Sequence, residues 1–311
     1  MRNSMSGLNG STSVPTPRSH CSLSARRPVI VHFLGAAGVG KSSLIRALLS
    51  EWARGRPSSS EGLSWIGFEE ARQLAIRNFS RELCAAHRAS NGAVQRARVL
   101  VRALAAPLKR ALGADPVREA LKSFERDAVS QFLGAHDAVF RALAEHWFDP
   151  EIKPPPLAVR YWQLAQHVAQ WLLVVAYAGS VGVLGDNTRL TKGCAELLGN
   201  ANFVRVEDNV ARLRRLCLSD LWPRAVVHLE ATPEVVLDRV HRRAVEGFMH
   251  PAHTGRSDDE IVAYTRRRSE AARQAVRCFS SWGIPVITLD AARPIAANVP
   301  LVVSFLGQLR P

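Results

Sequence analysis

From Pro28 the chain runs Val29-Ile-Val-His-Phe-Leu34 and passes without a break into Gly35-Ala-Ala-Gly-Val-Gly-Lys-Ser42. No other stretch limits the possible folds as much. A continuous apolar run bounded by Pro28 and Gly35 suits a strand of a parallel sheet covered on both faces. From Lys41 to about Arg54, residues Leu44, Ile45, Leu48, Leu49 and Trp52 recur at helical spacing. The segment between must turn a buried strand into a helix within a few residues. Its pattern is G-x-x-x-x-G-K-[ST], met by Gly35, Gly40, Lys41 and Ser42. Glycines let backbone N–H groups curl around a phosphate without Cβ clashes, and Gly38 adds further freedom. The helix that follows directs the positive end of its dipole at the anion. In such a loop the Lys41 ammonium reaches the β- and γ-phosphates and the Ser42 hydroxyl ligates Mg²⁺. Gly35, Ala36, Ala37, Gly38, Val39, Gly40, Lys41, Ser42 and Ser43 are therefore the candidate nucleotide-binding residues, with ATP and Mg²⁺ as the implied ligands.

The rest of the chain alternates strands and helices. Gly55 to Gly62 is a polar linker, and Leu63 to Phe68 reads as a second strand. Residues 69–175 read as mostly helical, broken by Pro154-Pro155-Pro156. A helix from Leu157 to about Ala176 places Tyr161, Trp162, Ala165, Val168 and Leu172 on one face. Ser180 to Gly185 is a strand that ends at Asp186, and Ala225 to Glu230 is another. Thr232-Pro233 starts the next helix, with Thr232 as N-cap and Pro233 at the first helical position. Ser257-Asp258-Asp259-Glu260 is a capping box for a helix to about Trp282, stopped by Gly283. Ile284 to Leu289 is the last strand, and Asn298 to Leu309 a closing helix. This order predicts an α/β fold: a P-loop-type five-stranded parallel sheet with helices on both faces and a large helical insertion at about 70–175. Ligands in such sheets bind at the carboxyl ends of the strands, where Gly35, Asp186, Glu230 and Asp290 fall.

Composition narrows the setting. With 47% apolar and 22% charged residues the chain reads as globular, while a formal net charge of +14 favours anionic partners. Nucleotides, phosphorylated metabolites and nucleic acid all qualify. Five scattered cysteines with no C-x-x-C suggest neither a disulfide framework nor a zinc site, and a reducing, cytoplasmic setting is expected. The longest apolar run, Trp171 to Gly185, is too short for a membrane span, so no membrane partner is expected. Residues 1–27 are Ser-rich, contain Arg2, Arg18, Arg26 and Arg27, and lack acids. That composition also suits an organelle transit peptide; they read first as a disordered tail preceding one domain, 28–311.

The motifs that mark GTPases (D-x-x-G, N-K-x-D) and transporter ATPases (L-S-G-G-Q) are absent; Thr191-Lys192-Gly193-Cys194 lacks the final Asp. The chain resembles the P-loop small-molecule kinases of the thymidylate, nucleoside and adenylate kinase-like group. Three segments carry the resemblance: the loop at 35–42, the stretch AVVHLEATPEVVLDRVHRR from Ala225 to Arg243, and WGIPVITLDA from Trp282 to Ala291. In that family the second segment leads through an arginine cluster into a lid, and the loop after the last strand lies against the nucleotide base. The resemblance implies an ATP-dependent kinase acting on a small-molecule acceptor, a lid at about 241–257, and catalytic roles for Lys41, Asp186, Arg239, Arg242 and Arg243. Asp186 would hold Mg²⁺ with Ser42, or take the acceptor's proton. The chain departs from thymidylate kinases in having Asp186-Asn187 rather than Asp-Arg, so thymidylate is not carried over as substrate. Within the lid, His250-x-x-His253 has metal-ligand spacing but lacks a third ligand, and reads as lid surface. Glu69, Glu70 and Arg72, after the second strand, occupy a position where an acceptor often binds. Two other readings stand beside the kinase: a regulatory P-loop NTPase that switches a protein or nucleic-acid partner, and a kinase acting on nucleic-acid ends.

Overall fold

The computed structural model describes residues 27–54, 63–89, 116–146, 156–185, 222–250 and 252–309. The expected tail, apart from Arg27, and Asp186 lie outside the described residues. Five strands, β1 (Val29–Leu34), β2 (Ser64–Gly67), β3 (Val181–Gly185), β4 (Ala225–Glu230) and β5 (Val286–Asp290), form one sheet in the order β2-β3-β1-β4-β5. Every neighbouring pair is parallel. All five carboxyl ends therefore lie along one edge, and Glu230 and Asp290 are register partners there.

Seven helices are described: α1 (Lys41–Arg54), α2 (Phe68–Ala89), α3 (Pro116–His146), α4 (Leu157–Tyr177), α5 (Pro233–Val245), α6 (Asp258–Ser281) and α7 (Ile295–Gly307). The alternation of β1 side chains divides the core between two faces, as the strand period of two requires. Val31 and Phe33 join Leu184, Val227 and Leu289 under α1 and α7, against Leu44, Leu48, Val302 and Leu306. Ile30 and Val183 face the other way, into a cluster formed by α2, α3 and α4. Leu34 and Val226 meet Ala275 and Phe279 of α6. Helices thus cover both faces, and the β2–β3 connection contributes α2, α3 and α4. None of the described helices is long and apolar enough to cross a membrane.

The capping signals act locally and produce the expected ends. The Thr232 hydroxyl accepts from the Val235 N–H at the start of α5. Ser257 and Glu260 form the reciprocal capping box of α6: Glu260 N–H donates to Ser257 Oγ at 3.3 Å and Ser257 N–H to Glu260 Oε2 at 2.7 Å. Gly283 takes φ +76° just after α6, a conformation that favours glycine. Two expectations need correction. α7 begins at Ile295 rather than Asn298, and Pro300 lies inside it. Pro300 is the sixth residue of this helix, past the first turn, so it removes the N–H that would bond the Ala296 carbonyl. In α4 the buried stripe runs through Leu164, Val168 and Trp171, while Trp162 is 60% exposed. That helix packs against both α2 and α3, so its covered surface is wider than a single stripe.

Two glycines in β3 need an explanation, because glycine weakens a strand interior. A β-carbon on Gly182 would stand 2.3 Å from Cε3 of Trp65, and one on Gly185 would stand 2.7 Å from Cη2 of Trp171. The two indoles lie on opposite faces of the strand. Trp65 is held in turn by Trp52 of α1, stacked at 5.5 Å. Gly182→Ala should therefore lower stability by about 1–3 kcal/mol, the usual cost of overpacking. Chemical denaturation measures it, and a loss below about 0.5 kcal/mol would show that Trp65 moves aside freely.

Candidate functional site

The glycine loop sits between the end of β1 and the first turn of α1, at the carboxyl edge of the sheet. Gly35, Gly38 and Gly40 have φ of +143°, +86° and +109°. At Gly35 the need for glycine is also steric: a β-carbon would lie 2.5 Å from the Leu229 carbonyl oxygen and 2.9 Å from Val39 Cγ1. The loop is therefore wound tightly against β4. Lys41 Nζ donates to the Gly35 carbonyl at 3.1 Å and the Ala36 carbonyl at 3.2 Å, which pins the ammonium against the loop. The first N–H groups of α1 have no partner within their own helix and carry a partial positive charge. Ammonium, helix terminus and glycine backbone thus make one electropositive concavity. Ser42, second residue of α1, is exposed, and Ser43 lines the adjoining cavity.

Of the three expected arginines, the structure commits Arg239 most tightly. Its Nη1 donates to the Val39 carbonyl at 2.7 Å, and its Nη2 donates to the Ala291 carbonyl. One guanidinium therefore bolts the glycine loop to the turn after β5. Burial, with Arg242 and Arg243 nearby, holds its pKa below the usual arginine value; the group remains charged at any ordinary pH. Arg242 pairs with Asp238 at 2.7 Å on the exposed side of α5, a contact of little energetic weight. Arg239, Arg242 and Arg243 all line one cavity of about 290 Å³ beside the loop. Its apolar part comes from Val39, Leu44, Leu229, Ala291 and Ile295, and Glu246, Arg293 and Asn298 add to its polar lining. A pocket with apolar walls and a few convergent polar groups is the usual form of a small-ligand site.

In the stretch after α5, one residue departs from expectation. His253 is not surface: it is 1% exposed, and a β-carbon on Gly38 would stand 3.6 Å from its Nε2. The ring lies edge-on to Tyr264 at 5.8 Å, and the Arg256 guanidinium covers the Tyr264 ring at 4.7 Å. Burial pushes the His253 pKa down to about 4, helped by neighbouring His250, although the Ala37 carbonyl favours the protonated ring. The imidazole is therefore neutral near pH 7. The segment is seated on the outer wall of the glycine loop through this ring. No group of three or more His, Cys, Asp or Glu side chains placed to hold a metal ion occurs among the described residues.

Other expected groups have local partners. Glu69 accepts from Arg72 at 2.7 Å and from Gln73 at 2.9 Å on its own helix, which lowers its pKa to about 2. At the sheet edge, Glu230 accepts from Arg273 at 2.6 Å. Asp290 Oδ1 accepts from the Ala292 N–H at 2.8 Å and shapes the turn after β5. The sequence argument missed His253 as a buried group, and Glu246, Arg293 and Asn298 as polar residues lining the cavity. Asn298 had a readable signal, a lone amide among the apolar residues that begin α7. No protein-family model matches this chain, and no curated protein matches its sequence.

Proposed function

We propose that this chain is an ATP-dependent, Mg²⁺-requiring kinase that transfers the γ-phosphoryl group to a small-molecule acceptor. The observation that carries the reading is the convergence at one sheet edge of the tightly wound glycine loop, the pinned Lys41 ammonium and the three α5 arginines. Phosphoryl transfer asks a protein mainly to position groups and to stabilise charge, and this arrangement supplies both. Positive-φ glycines at 35, 38 and 40 fit a polyphosphate cradle, because side chains there would fill or strain it. Lys41 would hold the β- and γ-phosphates, and the cavity beside Arg239 and Ala291 would take the base. Mg²⁺, when bound, would neutralise charge on the transferring group. The exposed Ser42 hydroxyl at the helix start suits a hard oxygen-preferring cation, and Asp186, the residue after β3, would be its second protein partner.

The test is a screen of nucleosides, sugars, antibiotics and polynucleotide ends with labelled ATP. The kinase reading expects ATP turnover and label transfer to rise with a small acceptor. If only a protein or a polynucleotide stimulates turnover, the kinase reading falls in favour of a regulatory NTPase or an end kinase. Asp186→Asn is expected to reduce kcat far more than ATP affinity, since loop backbone, Lys41 and helix dipole supply most of the phosphate binding. Isothermal titration beside steady-state kinetics separates the two, and unchanged turnover would remove Asp186 from the mechanism.

A further inference from the structure

Asn298 is a polar side chain on a helix that otherwise buries Val299, Val302 and Leu306, and it is 3% exposed. Its Nδ2 donates to the Asp290 carbonyl at 2.9 Å. A peptide carbonyl can only accept, so this contact settles which end of the amide is which. The other end, Oδ1, is buried and finds no hydrogen-bond partner in the protein. A buried acceptor left unsatisfied is costly and calls for a reason. Asn298 lines the cavity beside the glycine loop, together with Arg293, Ile295, Leu44 and Leu229. A ligand that completes this site would bring an N–H donor on an otherwise apolar body.

We infer that Asn298 is a specificity-determining residue that selects adenine through its exocyclic amino group, an inference that rests on reading the glycine loop as a triphosphate cradle. Adenine presents N6–H₂ as a donor, whereas guanine presents the acceptor O6 at the same position, which would face Oδ1 acceptor to acceptor. The remaining polar lining combines the N–H donors of Arg239, Arg242, Arg243 and Arg293 with the Glu246 carboxylate and the Ser43 hydroxyl. Asn298 Oδ1 differs from these in being a buried acceptor left without a partner. The planar Arg239 guanidinium, held by Val39 and Ala291, forms a wall suited to an aromatic ring.

The experiment titrates the full-length chain with three Mg²⁺-complexed probes by calorimetry: ATP, purine riboside 5′-triphosphate, which lacks only the amino group, and inorganic tripolyphosphate, which lacks the base. Wild-type protein is expected to bind ATP on the order of 10–100-fold more tightly than the purine riboside analogue, the worth of one hydrogen bond to a buried group. In Asn298→Ala that preference should vanish, with ATP falling to the level of the analogue. The wild-type comparison needs no variant, so poor folding of Asn298→Ala leaves the inference open to refutation. Equal binding of ATP and analogue by the wild type overturns the role of Asn298 while leaving the cradle standing. A preference that survives in folded Asn298→Ala overturns it as well. If neither ATP nor tripolyphosphate binds, the cradle reading itself fails, and the inference falls with it.

Discussion

Replacing Lys41 by alanine should reduce ATP turnover by at least 10²–10³-fold, the scale of losing one charge-stabilising group in a preorganised site, in a protein that remains folded. The lysine is half-buried at the loop, and the structure gives its ammonium to the Gly35 and Ala36 carbonyls rather than to the core. Gly35 and Ala36 are themselves buried, so leaving their carbonyls without the ammonium should cost about 1–3 kcal/mol of stability. The catalytic loss should be larger, because no other described side chain places an ammonium against this loop. Thermal melting and steady-state ATP hydrolysis on the same preparation distinguish the outcomes. A folded Lys41→Ala protein with wild-type turnover would show that the loop does not cradle a phosphate.

Arg239→Ala should lower kcat/KM for ATP by on the order of 10³-fold, the scale set by arginines that stabilise transferring phosphate, but the loss should appear in both parameters. Sequence reasoning alone expects an arginine that touches phosphate only in the transition state, which would lower kcat and spare KM. The structure argues otherwise for this residue. Its two N–H arms hold the Val39 and Ala291 carbonyls, and both of those residues line the cavity. Removing the guanidinium frees the walls before any chemistry begins, so KM should rise as kcat falls. Arg239→Lys should not rescue, since an ammonium on a flexible stem cannot reproduce a planar fork that spans two carbonyls. Arg242 and Arg243 line the same cavity without that bolt, and remain the candidates for a loss confined to kcat. Steady-state kinetics of Arg239→Ala, Arg239→Lys, Arg242→Ala and Arg243→Ala test this directly. A normal KM for Arg239→Ala would return it to the transition-state role, and full activity of Arg239→Lys would refute the bolt.

What could be read from the sequence was whatever neighbouring residues decide among themselves. The strand–glycine–helix run at 29–54 sets its own geometry, because an apolar run, three glycines and an amphipathic repeat leave few alternatives within so short a span. Thr232, the Ser257–Glu260 pair and Gly283 mark helix ends because capping bonds reach only two or three residues. The five strands were legible as apolar runs between turn signals. Their order was not, since nothing local tells β3 to lie beside both β1 and β2. Only the folded chain brings Trp65 over Gly182 and Trp171 over Gly185, and so explains two glycines inside a strand. The same holds at the candidate site. Arg239 reaches Val39 across 200 residues of sequence. His253 reads as lid surface until the turn carrying it closes on Gly38, and Asn298 reads as one amide in an apolar helix until Asp290 takes its donor and leaves its acceptor. A side chain's partner, and therefore its burial and the protonation state it prefers, depends on which distant segments share its volume. That is settled by packing of the whole sheet and its helices, and no window of sequence contains it.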